Sequence, residues 1–171
     1  MSGFRRVITG HDAAGRSIVA SDEIVAEGAL GNFNFFRLSA KHAPADLASA
    51  TSDFPFFPGP GQTVFRIFQL PGADPNLPPG ALEEFSKVFF AGIGSPGAKV
   101  DTSRHPLMHR TPTTDFIVLL SGEVSLLLDE GEPVALKPFD AVVQRATNHA
   151  WVVTGPEPAV LMACMTGTGS P

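Results

Sequence analysis

Residues 105–119 read His-Pro-Leu-Met-His-Arg-Thr-Pro-Thr-Thr-Asp-Phe-Ile-Val-Leu, so histidines, an arginine, threonines and a carboxylate stand directly before an apolar run. A second polar group lies downstream, where Arg145, Ala146, Thr147 and Asn148 form a turn ahead of His149. Imidazoles carry protons and ligate metals near neutral pH, carboxylates complete either kind of site, and guanidinium forks hold carboxylates. His109, Asp115 and His149 supply the two histidines and one carboxylate of a non-haem iron centre, and zinc or manganese accepts the same donors. Without a metal, His109 and Asp115 pair by a charge-assisted hydrogen bond, and Arg110 reaches Asp115 or Asp140. Arg110 and Arg145 are either carboxylate binders or surface ion pairs. Trp151 shares a face with His149 and Val153 if the strand is regular, either walling a pocket or packing in the core. His105 is a further ligand in reserve, although Pro106 breaks regular structure beside it.

These groups need strands to position them. Short runs rich in Val, Ile, Leu and Phe, among them "RRVIT", "RSIVASD", "NFNFFRLS", "TVFRIFQL", "DFIVLL", "EVSLLLD", "DAVVQRA", "HAWVV" and "PAVLMACM", are separated by Gly, Pro, Asp or Asn. That pattern predicts a mostly β sandwich or barrel. "LSGEV" predicts a tight hairpin at Gly122, and "LDEGEPVAL" a second at Glu130-Gly131. Asp115 shares its strand face with Ile117 and Leu119, and a carboxylate on an apolar face needs a partner. One helix is expected in "PPGALEEFSKVFFAGIG", with Leu82, Phe85, Phe89 and Phe90 at helical spacing and Gly92 able to stop it. A shorter helical turn is expected at "HAPADLASA", and residues 53–62 read as a loop.

Composition narrows the functions. The 171-residue chain carries a net charge of -5, with 12 basic residues scattered along it, which argues against nucleic acid and for a small-molecule ligand. Its longest apolar runs fall short of the roughly 18–20 residues that cross a membrane, and the N-terminus lacks the apolar centre of a secretory signal, so a cytoplasmic location is expected. Cys164, the one cysteine, has no intrachain partner and reads as a small core hydrophobe. The chain has 14 Phe, 1 Trp and no Tyr, and phenylalanines at a barrel mouth would suit an aromatic or polyketide-like substrate.

The chain resembles the cupin superfamily. His109, Thr111, Asp115 and Gly122 occupy the places of the first cupin motif, which has histidine, histidine, glutamate and glycine. Pro138, Phe139, Asp140 and His149 occupy the second, with Phe139 where glycine is usual. "MHRTPTTDF" and "QRATNHAW" are similar to small bacterial and fungal cupins that read Met-His-Arg-Thr, Asp-Tyr and Gln-Arg-Gly-Thr-x-His-Ala-Trp. The resemblance implies a double-stranded β-helix, or jelly roll, with one or two short helices. It implies a single domain over 1–171, with the barrel at about 60–165 and N-terminal strands over 4–40 that cover it or form a homodimer. It also implies a site at one end of the barrel with metal ligands His109, Asp115 and His149, Thr111 standing in place of a histidine. The implied activity is a lyase or decarboxylase acting on an aromatic or oxo-carboxylate substrate. Arg110 would hold the departing carboxylate, His109 or His149 would return a proton, and Thr111, Arg145 and Trp151 would bind substrate. A metal-dependent dioxygenase and a non-catalytic ligand-binding barrel are the alternatives, and the barrel is either metal-bound, with iron, manganese or zinc, or metal-free.

Overall fold

A computed structural model describes residues 3–28, 31–39 and 56–168. Ten strands and one helix follow in the order β1 (Phe4–His11), β2 (Ser17–Val25), β3 (Asn32–Ser39), β4 (Gln62–Leu70), α1 (Ala81–Gly92), β5 (Thr113–Ser121), β6 (Val124–Leu128), β7 (Val134–Leu136), β8 (Ala141–Arg145), β9 (His149–Val153) and β10 (Ala159–Gly167). The expected helical turn at "HAPADLASA" lies outside the described residues.

The strands form a five-stranded sheet of order β3-β4-β10-β5-β8 and a three-stranded sheet of order β7-β6-β9, with β1 and β2 as a separate hairpin. All the pairings are antiparallel, and the architecture is the expected jelly roll. Period-two alternation decides what faces inward. On β5, Asp115, Ile117 and Leu119 are buried while Phe116 is exposed, and on β10 Leu161, Ala163 and Met165 are buried between partly exposed neighbours. These side chains join Val124 and Leu136 of the smaller sheet in one core, so the two sheets face each other across it. Complete burial of Leu119 and Leu161 stabilises the fold by roughly 2 kcal/mol each.

The turn at Gly122 differs from expectation. Strands β5 and β6 lie in different sheets, so "LSGEV" is not a hairpin but the corner where the chain crosses from one sheet to the other. Gly122 has φ +89, and a Cβ there would stand 2.6 Å from the Ala159 Cα, so the corner has room only for glycine. The β6–β7 hairpin forms as expected, with Leu126 opposite Val134 and Gly131 at φ +81 in its turn.

Helix α1 ends at Gly92 as the pattern suggests, but the left-handed residue that terminates it is Gly94, at φ +66. It buries Ser86 and Phe90 and leaves Phe85 and Val88 outside. Cys164 is not in the core. It sits partly exposed on the outer face of β10, opposite Phe65 and the exposed Phe116, because its position has the opposite parity to Ala163 and Met165.

Candidate functional site

Residues 105–111 lie between α1 and β5 as an extended approach to the barrel. His109 forms an isolated antiparallel bridge with His149, the backbones exchanging two hydrogen bonds of 2.9 Å. The first residue of β9 and the approach to β5 are thereby zipped together, and the two imidazoles stand side by side with ring centroids 4.4 Å apart. The side chains are anchored alike. His109 Nδ1 lies 2.9 Å from the Leu107 carbonyl, and His149 Nδ1 lies 3.0 Å from the Thr147 carbonyl. A carbonyl only accepts, so each Nδ1 carries the proton and each Nε2 is left as a basic lone pair.

Burial lowers the pKa of both rings. His149 is pushed down to about 3 by its burial and by the neighbouring His109, against the small upward pull of the Thr147 carbonyl. His109 is lowered by burial despite the Leu107 carbonyl. Both imidazoles are therefore neutral at physiological pH.

Asp115 sits on the inner face of β5, 4% exposed, opposite Met165 of β10 and Gln144 of β8. Burial raises its pKa to about 6, while the Thr113 hydroxyl, through a hydrogen bond, and the charge of Arg66 pull it down. Arg66, on the inner face of β4 and 2% exposed, is a buried cation whose charge acts on this carboxylate. Its own pKa falls to about 10 through burial, which Asp115 opposes. The Arg66 guanidinium lies 4.9 Å over the Phe56 ring. Phe56 packs edge-on against Phe89, Phe89 against Phe90, Phe90 lies 5.2 Å from His109, and His149 lies 5.5 Å from Trp151. The rings thus pack in a continuous run from α1 to Trp151. Trp151 shares its face with His149 as expected and packs against the core.

Thr111 and Thr113 complete the polar face. They are 2% and 0% exposed, and their hydroxyls lie 2.7 Å apart. Gln144, another buried group, gives its amide protons to the Thr147 carbonyl and hydroxyl, which shapes the turn that presents His149. Asn148 plays a similar part by donating to the Asp101 carbonyl and the Asp129 carboxylate.

Of the two readings of the arginines, exposure accords with the surface one. Arg110 and Arg145 are both exposed. Arg145 pairs across β5 with Thr114, on the face opposite Asp115, so the alternation of the strand turns it outward. Among the described residues, the buried cation is Arg66, whose one sequence signal is an arginine in phase with Val64 and Phe68 in "TVFRIFQL". His105 is turned to local structure, its Nδ1 accepting from the Leu107 backbone N–H at 3.2 Å.

A three-ligand metal centre of His109, Asp115 and His149 does not fit this donor arrangement. Among the described residues, no three His, Cys, Asp or Glu side chains gather closely enough to hold an ion. The histidines are together, but Thr111 contributes a neutral hydroxyl already bonded to Thr113.

The chain is 34% identical over 151 residues to phomopsin biosynthesis cluster protein C' of Diaporthe leptostromiformis, an alignment spanning 85% of this chain and 68% of that protein. It is 30% identical over 160 residues to the cupin-domain-containing oxidoreductase fogC of Aspergillus ruber, spanning 91% and 68%. Among solved structures it is similar to an RmlC-like cupin family protein with a double-stranded β-helix fold from Methanocaldococcus jannaschii, with 11% identity, a TM-score of 0.40 and coverage of 62% and 71% of the two chains. No family model matches the chain.

Proposed function

The chain belongs to the cupin family, and from that premise we propose that it is a small-molecule enzyme working by proton transfer at the His109–His149 pair. The reaction we favour is decarboxylation of a hydroxylated aromatic acid inside the barrel. The observation that carries this reading is the pair itself: the buried His149 and the half-buried His109, both neutral, with ring centroids 4.4 Å apart and each held by a carbonyl at Nδ1 so that Nε2 keeps a free lone pair. An Nε2 takes the proton of a ring hydroxyl as electron density moves to the carbon bearing the carboxylate, and delivers that proton to the same carbon. The bond to the carboxylate then breaks, carbon dioxide leaves, and its electron pair restores the aromatic ring. The run of rings from Phe90 to Trp151 suits a flat aromatic substrate. Arg66 is the cation within the barrel for a departing carboxylate, in the role expected of Arg110 or Arg145.

The steps proposed here are carried by side chains of the chain itself. The test is release of carbon dioxide from 2,4-dihydroxybenzoate in heavy water, with deuterium appearing at the vacated ring carbon. Replacing both His109 and His149 by alanine should abolish release, and elemental analysis of the active protein should find metal well below one equivalent. Undiminished turnover by the double variant would overturn the proposal.

A further inference from the structure

His149 opens β9 after a turn that a side chain of β8 holds from within the barrel. Gln144 is 3% exposed, on the inner face of β8 opposite Asp115. Its Nε2 donates to the Thr147 carbonyl at 2.9 Å and also meets the Thr147 hydroxyl. The same carbonyl lies 3.0 Å from His149 Nδ1, so one oxygen receives a donor from each side. The turn itself is strained. Ala146 has φ +51, in the left-handed region that residues with a Cβ rarely enter and that persists only where the surroundings over-determine it. Here the Ala146 N–H donates to the Thr113 carbonyl at 3.0 Å, and Asn148 Nδ2 donates to the Asp101 carbonyl and the Asp129 carboxylate, both at 2.8 Å. Of the groups that hold the turn, Gln144 is the one that bonds to Thr147 itself.

The sense of the Thr147–Asn148 peptide decides which nitrogen of His149 is free. As it stands, its oxygen takes the Nδ1 proton and Nε2 keeps a lone pair. Turned over, the peptide would aim the Asn148 N–H at Nδ1, which would then accept and leave the proton on Nε2. The equivalent peptide beneath His109 is pinned by backbone, because the Met108 N–H donates to the His105 carbonyl at 3.0 Å while the Leu107 carbonyl faces His109 Nδ1. Beneath His149 the same task falls to a side chain. We propose that Gln144 is the positioning residue of the histidine pair: by holding the Thr147 carbonyl, it keeps the strained turn in the sense that leaves His149 Nε2 unprotonated. The inference rests on the proton-transfer reading for its consequence in turnover, but the tautomer it assigns is a property of the resting protein.

The experiment is nitrogen-15 NMR of the full chain labelled at histidine, with the His149 signals identified by their loss in His149→Gln. The unsubstituted protein should show His149 with Nδ1 protonated and Nε2 bare. Gln144→Met, close in size but without a donor, should give a mixture of the two tautomers at His149 and leave the His109 tautomer as it was. On 2,4-dihydroxybenzoate its kcat should fall at least about tenfold while KM stays within about twofold. Ala146→Gly relieves the left-handed strain, so in that background Gln144→Met should lose less of the single tautomer. A packing role for Gln144 would not respond to that relief, and thermal unfolding checks that each variant folds. An Nε2-protonated His149 in the unsubstituted protein would overturn the proposal whatever the variants do. So would an unchanged tautomer in Gln144→Met, or equal losses in the two backgrounds. Failure of the decarboxylation assay with the tautomer shift intact would instead overturn the reaction and leave the role of Gln144 standing.

Discussion

Two imidazoles with lowered pKa values, His149 buried and His109 half-buried, make the folded state sensitive to acid. Between the ordinary histidine pKa of about 6.5 and the His149 value of about 3, the unfolded chain binds a proton that folded His149 refuses. His109 is displaced in the same direction. With more protons bound in the unfolded state, stability falls as pH falls, by about 1.4 kcal/mol per pH unit for each fully displaced proton. Asp115 acts oppositely. Its folded pKa of about 6 lies above the ordinary carboxylate value of 3.8, so from pH 6 down to 4 the folded state gains protons first and part of the histidine loss is offset. Urea denaturation at pH 7.5 and 5.0 should show lower stability at pH 5.0, and His149→Gln should flatten the difference. A protein equally stable at both values would contradict the assigned neutral pair. A second residue-scale expectation concerns Phe139, which has φ +75 in a turn closed by the Asp140 N–H on the Lys137 carbonyl. With Pro138 before it, Phe139 fills the position of a type II turn where glycine is favoured, which explains why glycine is usual at this point of the motif. Its ring is 79% exposed and contributes little packing, so Phe139→Gly should stabilise the protein by about 1 kcal/mol, read as a higher urea midpoint at unchanged slope.

Helix α1 locates the histidine pair through one hydrogen bond and one ring. Ser86 is completely buried and donates to the Pro106 carbonyl at 2.6 Å, three residues before His109, whose ring meets Phe90. Ser86→Ala leaves that carbonyl without its donor and should cost about 1–2 kcal/mol in urea unfolding, with turnover falling further than a global loss of stability explains. Wild-type turnover in Ser86→Ala would detach the helix from the site. Legibility in the sequence follows the same division between local and distant order. The strands were readable because alternation and turn residues are local, and so were His149 and Trp151 on one face, two residues apart. The Gly122 corner was misread as a hairpin because a glycine turn between two apolar runs has the same text whether the strands pair or part. That Asp115 needs a compensating charge is legible in the alternation of its strand, but the residue that supplies it is not. Arg66 lies two strands away across β10, and that neighbourhood is set by sheet order, which no short window contains. The outward turn of Arg110 and Arg145 likewise depends on register and on where the extended chain enters the sheet.

At the scale of the whole molecule, the apolar surface left outside argues for a second copy. The outer face of the five-stranded sheet presents Phe116 at 50% exposure and Val143 at 57%, in one cross-strand row with Phe65 and Cys164. The β1–β2 hairpin pairs with neither main sheet and exposes Val19 and Ile24 at 60% and 62%. A two-stranded hairpin is marginal alone in water, and a contiguous apolar face on a small domain marks an association site. A homodimer in which these surfaces are covered meets both needs, and the same apolar row appears on each subunit, as a two-fold interface demands. Size-exclusion chromatography with light scattering at micromolar concentration should therefore give twice the chain mass of 18.0 kDa. The double substitution Phe116→Lys and Val143→Glu should return a folded monomer, since both side chains point away from the core. Deleting the first two strands should weaken association without unfolding the barrel, because the main sheets close without them. A monomeric wild-type protein at these concentrations would show instead that the outer face stays in water despite its composition.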